Sequence, residues 1–359
     1  MTTGAQTARR PILASLPRFS KQVNRAATWV VVGLLLVWVV GNFVNAPEQF
    51  ISVLLLGITL GAIYALVALG YTLVYGIIEL INFAHGDVFM LGTMVTITVA
   101  NGWLGLNGTQ AWYVTVPLVF VTLLAAMGFC GTLNVCIERI AYRPLRNAPK
   151  LAPLITAIGM SFLLQNVGAA IWGFNERPLT ASGASIFPEH SLFRVGGFPY
   201  REDSLIVVLI TIPVLLALVY LVRSTKQGKA MRAVAQDMDA SRMMGIDVDR
   251  TIAFTFALGG GLAGAAGLLF VMYQTSTRFD LGFQLGLFAF TAAVLGGIGN
   301  LTGAALGALA IGLIQAFNEG LSWHTPGSDW TESIIFTILI LVLVFRPQGL
   351  LGEATADRA

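Results

Sequence analysis

Residues 51–75 read ISVLLLGITLGAIYALVALGYTLVY, a run of 25 positions with no charged side chain. A helix rises about 1.5 Å per residue, so about 20 such residues cross the roughly 30 Å hydrocarbon layer of a bilayer. The run is apolar on every face, which leaves no polar side for water. Comparable runs recur at about 28–44, 84–100, 114–137, 151–172, 204–222, 251–272, 286–298, 301–319 and 332–345, giving ten candidate segments. The one at 286–298 is the shortest and ends in Gly296, Gly297 and Gly299. It fits either a full span or a re-entrant, broken helix paired with 301–319. Broken backbone is tolerated at that depth only when packed inside protein.

Composition points the same way. The 359 residues carry 21 Lys+Arg and 18 Asp+Glu, 11% in all, where soluble domains hold roughly 25%. Hydrophobic residues reach 56%. Such a chain cannot stay solvated as a disordered one, nor clothe the surface of a soluble enzyme. The fold class is an all-α polytopic membrane protein of about ten transmembrane or partly spanning helices. A net charge of only +3 gives no reason to expect nucleic acid as a partner.

The run at 28–44 follows a basic stretch, and Val44-Asn45-Ala46 faintly resembles a signal cleavage site. The run is longer than a usual signal core and Pro47 follows at once, so an uncleaved first span is expected. Basic residues orient the rest, because Lys and Arg gather on the cytoplasmic side. With the N-terminus inside and all ten segments crossing, 17 of the 21 basic residues fall inside. Only Arg177, Arg194, Arg201 and Arg278 fall outside. Both termini are then cytoplasmic. The expected organisation is a basic N-terminal segment at 1–27, a membrane domain at 28–345 and a C-terminal tail at 346–359. The long inside loop is 223–250, and the long outside loop, about 173–203, reads as a partly structured docking segment.

Several chemistries are absent from the sequence. No G-x-x-x-x-G-K-[ST] phosphate loop occurs, since Gly228-Lys229 is followed by Ala230. No H-E-x-x-H exists, and His85, His190 and His324 are scattered, so no metal site is expected. A serine hydrolase built on Ser161 would need His85 as its base from a distant segment. Cys130 and Cys136 face different directions on a helix and read as small packing residues.

Two groups of intramembrane residues remain. Asn82, His85 and Asp87 lie in the stretch Asn82-Phe83-Ala84-His85-Gly86-Asp87, at the mouth of the third segment and just after Glu79. Asn82 and Asp87 there either cap the helix start or bond between helices, or the three residues line or gate a path. The pairs Gly260/Gly264 and Gly303/Gly307 place bare surfaces on one helix face, with Gly296 and Gly297 nearby. Close helix packing explains them, and so do helices that slide during transport. The two glycine-rich segments also look alike, a hint of an internal repeat.

The loop 223–250 holds ten of the charged residues, six basic and four acidic. Met231, Val234, Ala235 and Met238 form a helical stripe with Gly245 as its C-cap. The polar face is mixed in sign, which favours a partner's groove over the lipid surface.

Asp239-Ala240-Ser241-x-x-x-Gly245 resembles the E-A-A-x-x-x-G coupling loop of bacterial ABC-importer permeases. Three further stretches resemble the high-affinity branched-chain amino acid permease subunit of the LivH type. They are Gly70-Tyr71-Thr72-Leu73-Val74-Tyr75-Gly76 running on to Asn82-Phe83-Ala84-His85-Gly86, then Leu295-Gly296-Gly297-Ile298-Gly299-Asn300-Leu301-Thr302-Gly303-Ala304, and Arg346-Pro347-Gln348-Gly349-Leu350-Leu351-Gly352. The likeness covers about 50–352. It implies a non-enzymatic transport subunit of the bacterial inner membrane, paired with a second, homologous permease. Two cytoplasmic ATP-binding subunits would bind the ATP, with no cofactor on this chain, and a periplasmic substrate-binding protein would deliver the amino acid. Met231, Met238, Asp239, Ala240 and Gly245 would shape the coupling surface, while Asn82, His85 and Asp87 would line or gate the path. The motif departs from the family's at Asp239 and Ser241. A urea or amide permease of the same family is the nearest alternative, and a self-contained secondary transporter is the alternative from another class.

Overall fold

Helix α2 (Pro47–Ile78) and helix α9 (Val248–Gln274) lie side by side at the centre of the bundle. The computed structural model describes residues 36–106, 110–146, 148–149, 151–180, 191–195, 198–346 and 348–352, with Gly33 and Ile186. Among them α1 spans Leu36–Asn45. The other helices are α3 (His85–Ile97), α4 (Trp112–Ile137), α5 (Leu151–Trp172), α6 (Glu202–Ser224), α7 (Lys226–Gln236), α8 (Met238–Met243), α10 (Leu281–Gly296), α11 (Leu301–Gly320) and α12 (Thr331–Phe345). Among the described residues, seven helices are long and apolar enough to cross a membrane. The apolar stretch of α9 is 83% buried, against 17% for α6 and 11% for α12. Glycine and alanine let neighbouring backbones close over α9, while α6 and α12 present their apolar surface outward.

The bundle is built twice. Helix α2 packs along α11 as α9 packs along α4, α3 crosses α9 as α10 crosses α2, and α5 lies on α3 as α12 lies on α10. The chain reverses after each span, so matching helices of the halves α2–α5 and α9–α12 run in opposite directions. Both halves also turn alike. Helix α2 ends on Glu79 with φ 52°, and α9 ends on Thr275 with φ 60°. Seven residues after each cap (79 to 86, 275 to 282) comes a glycine, Gly86 or Gly282, and the two meet. A Cβ on Gly86 would fall 2.3 Å from the Gly282 carbonyl oxygen, and one on Gly282 would fall 2.7 Å from that of Gly86. The two glycine-rich segments that look alike are not repeat mates: both belong to the second half, one on α9 and one at the α10–α11 turn.

Nine of the ten expected segments appear as helices with shifted ends, and of the one at 28–44 the described helix covers only the part from Leu36 onward. Helix α10 starts at Leu281, before the expected 286, and has 16 residues; α3 has only 13. Each is short for a crossing that takes about 20 residues. Non-helical backbone at 79–84 and 275–280 carries the chain to them. Helix α3 continues into wide π-type turns over Thr98–Trp103.

On the face away from the 223–250 loop, β1 (Arg177–Pro178) pairs with β4 (Ser276–Thr277), and β2 (Ser191–Val195) pairs with β3 (Phe198–Arg201). These short ladders hold described parts of the 173–203 segment. On the loop face, residues 348–352 dock on the α10–α11 turn. Leu350 and Leu351 donate their N–H groups to the Leu295 and Gly296 carbonyls at 2.8 and 3.1 Å. Gly297, with φ 107°, lies against Gly349 and Gly352. The basic segment 1–27 and residues 353–359 lie outside the described residues.

Candidate functional site

The loop 223–250 folds as two helices, not one. Thr225 caps α7, its Oγ1 accepting from the Gly228 N–H at 3.0 Å. Asp237 then leaves the helix with φ −157° and ψ 112°. Its Oδ1 accepts from the N–H groups of Asp239 and Ala240, both at 2.9 Å. A short carboxylate that bonds the backbone two and three residues on stops one helix and starts the next. Helix α8 closes on Gly245: the Gly245 N–H reaches the Arg242 carbonyl and the Ile246 N–H reaches that of Ser241, each at 3.0 Å. With Gly245 at φ 82°, this is the Schellman closure that a side chain would strain. Asp247 caps α9 in turn, accepting from the Arg250 N–H at 3.0 Å.

This break changes which residues face outward. Met231 and Val234 are buried against the chain's own core, and Met238 is partly buried there. The stripe therefore seats α7 on α2, α6 and α9 instead of offering it to a partner. Asp239 and Gly245 are exposed and Ala240 is half-buried. The outward apolar surface belongs to Met243 and Met244, exposed by 82% and 81%, with Arg242 beside them. Sequence periodicity missed this pair because they lie past the Asp237 break.

The loop is anchored to the bundle by ion pairs. Beyond α4 the chain makes a wide π-type turn over Glu138–Tyr142, which brings Arg143 and Arg146 to the start of α9. Arg143 and Arg146 both pair with Asp249, and Arg146 also pairs with Glu138. The side chains of Glu138 and Arg146 are 2% and 15% exposed, those of Asp249 and Arg143 43% and 48%. The inner pair is thus the one that matters energetically, since an unpartnered buried charge costs far more than a surface one. In the sequence Arg143 and Arg146 served only to orient the chain, Asp249 was one of the loop's charges, and Glu138 was not singled out.

Behind that network lies the polar cluster. Tyr142 donates its hydroxyl to Asn82 Oδ1 at 2.7 Å and stacks at a tilt on Phe256 of α9. Asp87 Oδ1 accepts from Gln165 Nε2 at 3.0 Å, and Gln165 also reaches Ser161 at 3.3 Å. His85 packs edge-on against Tyr71, with ring centroids 4.8 Å apart. Its approach to the Val67 carbonyl falls short of a full hydrogen bond. Neither Asn82 nor Asp87 caps α3, whose N-cap is Ala84 with no side-chain bond. Both bond between helices. Asn82, His85 and Asp87 are each at most 2% exposed and enclosed by protein, so in this conformation they line no open path. The Asn82 Nδ2, Asp87 Oδ2 and both His85 ring nitrogens lack a well-formed partner, an unusual concentration of unmet polar groups.

The glycines mark close crossings. A Cβ on Gly260 or Gly264 would fall 2.3 or 2.4 Å from a carbonyl of α4. On Gly303 or Gly307 it would fall 2.4 or 2.1 Å from a carbonyl of α10, and on Gly296 2.0 Å from that of Gly303. The Gly86–Gly282 crossing was not singled out in the sequence, because its two glycines lie far apart along the chain. Among the described residues no group of His, Cys, Asp and Glu could hold a metal ion.

A doubly built membrane bundle, with a capped and exposed helical loop wired to a buried polar cluster, defines a polytopic membrane permease subunit. Residues 53–344 match the family described as branched-chain amino acid transport system / permease component. The high-affinity branched-chain amino acid transport system permease protein BraD of Pseudomonas aeruginosa is 38% identical over 87% of this chain and 99% of its own length. The corresponding LivH of Escherichia coli K12 is 36% identical over 86% of this chain and 97% of its own. The chain belongs to this permease family.

Proposed function

We propose that this permease subunit carries branched-chain or related hydrophobic amino acids inward across a bacterial inner membrane, as part of an ABC importer. It pairs with a second, homologous permease, takes its driving force from two cytoplasmic ATP-binding subunits and receives substrate from a periplasmic binding protein. The observation that carries this is the loop on one face. Helix α8, capped by Asp237 and closed by Gly245, presents Asp239, Arg242, Met243 and Met244 outward, while α7 seats it rigidly on the core. A partner pressing there pushes on α9 through Asp247 and Asp249. The relatives' substrates support the amino acid class. The basic residues gathered on the loop face support cytoplasmic termini. Asn82, His85 and Asp87, enclosed here, act in gating when the α3–α10 crossing shifts. Because they form no open pocket, selectivity rests with the binding protein.

The test is reconstitution. The chain is co-purified with its ATP-binding subunits and assayed in vesicles for leucine uptake, with isoleucine, valine, urea and acetamide as competitors. Uptake should require ATP and those subunits, and the branched-chain amino acids should compete. Uptake that persists without the subunits defeats the importer, and competition by urea or acetamide alone defeats the substrate class.

A further inference from the structure

A cavity of about 530 Å³ opens on the loop face, between the ends of α2 and α6, the inner side of α7 and the turn 298–302. Among the described residues its charged lining is Arg223 and Arg232, with no Asp or Glu. Arg232 is held in place, its Nη1 donating to the Val222 carbonyl and, at 3.3 Å, to that of Arg223. The 20-residue helix α11 also begins at the cavity, with Asn300 as its cap and Leu301 and Thr302 on the wall. A helix start carries about half a positive charge. The opposite wall is apolar, made by Leu73, Ile77, Met231 and Ile298.

We propose that this cavity binds the phosphate of an anionic membrane lipid. Two arginines and a helix start, with no acidic group among the described lining residues, call for a ligand that is purely anionic. A zwitterionic amino acid would leave its ammonium group without a counter-charge. A free phosphate ion would leave the apolar wall facing water. A phospholipid satisfies both walls, with its phosphate between Arg223 and Arg232 and its acyl chain leaving along the outward apolar face of α6. The location fits: Arg223 lies in the last turn of α6, whose apolar stretch is only 17% buried and so is open to lipid. Basic pockets between helices at that depth are where anionic headgroups bind. The site lies beside α7, so an occupied cavity would brace the helix that seats the exposed loop.

The test uses the full chain, stripped of lipid in detergent. Thermal unfolding and native mass spectrometry are followed on adding phosphatidylglycerol, phosphatidylcholine or soluble glycerol 3-phosphate. Phosphatidylglycerol alone should be retained and should raise the unfolding midpoint. Arg223→Gln should weaken that retention roughly fivefold, as one near-surface basic residue does. Arg232→Gln is the second variant, since its contact with Val222 also matters to packing. Arg250→Gln, a change at an exposed arginine on the same face outside the cavity, should leave retention unchanged. Equal retention of phosphatidylcholine, equal protection by glycerol 3-phosphate, or equal loss in Arg250→Gln would each overturn the proposal. So would unchanged retention in Arg223→Gln, or displacement of the lipid by the ATP-binding subunits.

Discussion

Tyr142 donates its hydroxyl to Asn82 Oδ1 across 2.7 Å, joining the end of α4 to the irregular turn that precedes α3. Four residues further on, Arg146 holds Asp249 in the first turn of α9, which leads out of the exposed loop. Loop, α9, α4 and the α3 turn are therefore linked by direct polar contacts from the surface to the buried cluster.

Tyr142→Phe removes one interhelical bond and leaves Asn82 Oδ1 without its partner. Such bonds contribute about 1 kcal/mol inside a membrane protein. Tyr142→Phe and Asn82→Ala should each lower the unfolding midpoint modestly, and the double variant should cost less than their sum. Additive losses in a double-mutant cycle would mean that the two side chains do not act together.

The ion pairs should rank by burial. Arg146→Ala strands Glu138, whose side chain is 2% exposed, and should cost about 3–5 kcal/mol. Arg143→Ala breaks a half-exposed pair and should cost under about 1 kcal/mol. Recovery of folded chain after mild heating in detergent measures both. A loss for Arg143→Ala as large as that for Arg146→Ala would contradict the ranking.

Glycine replacements separate crossings from open surface. A Cβ on Gly307 would sit 2.1 Å from the Ala292 carbonyl oxygen, so Gly307→Ala should prevent normal packing of α10 on α11. Gly159 on α5 has nothing within 4 Å, and Gly159→Ala should be neutral or stabilising by up to about 1 kcal/mol. Yield and gel-filtration profile of the two variants decide this, and a poorly folded Gly159→Ala would show an unseen neighbour.

On the loop, two kinds of methionine should behave differently. Met243→Glu and Met244→Glu should leave the chain's own unfolding unchanged and weaken association with the ATP-binding subunits about tenfold or more. Met231→Glu puts a charge into the core and should destabilise the chain itself. Gly245→Pro should act like the first pair, weakening association while membrane insertion stays normal. Association that survives all three surface variants would move the coupling surface off α8.

Most spanning segments were legible from composition alone, since a charge-free run such as 51–75 has few places to go but a bilayer. The helix stop at Gly245 was legible because capping chemistry is local: the Gly245 N–H bonds the Arg242 carbonyl three positions back, and the Ile246 N–H that of Ser241 five back. The stripe through Met231 was read with the right period and given the wrong neighbour. A 3.6-residue repeat says that one face is covered, but not by what, and here the chain's own α2, α6 and α9 cover it. Asn82 and Asp87, plausible as caps by position, turned out to bond across to Tyr142 and Gln165.

The scarcity of charge and the local signals of cap and turn determined, from the sequence alone, a membrane protein of about ten segments with much of its charge gathered in one loop. Tertiary structure decided that the bundle is built twice in opposite directions, that Gly86 meets Gly282, and that Glu138, Arg146 and Asp249 join loop to core. Those contacts link residues that are remote along the chain. Their identity depends on which helices lie side by side, and no local pattern of polarity contains that information.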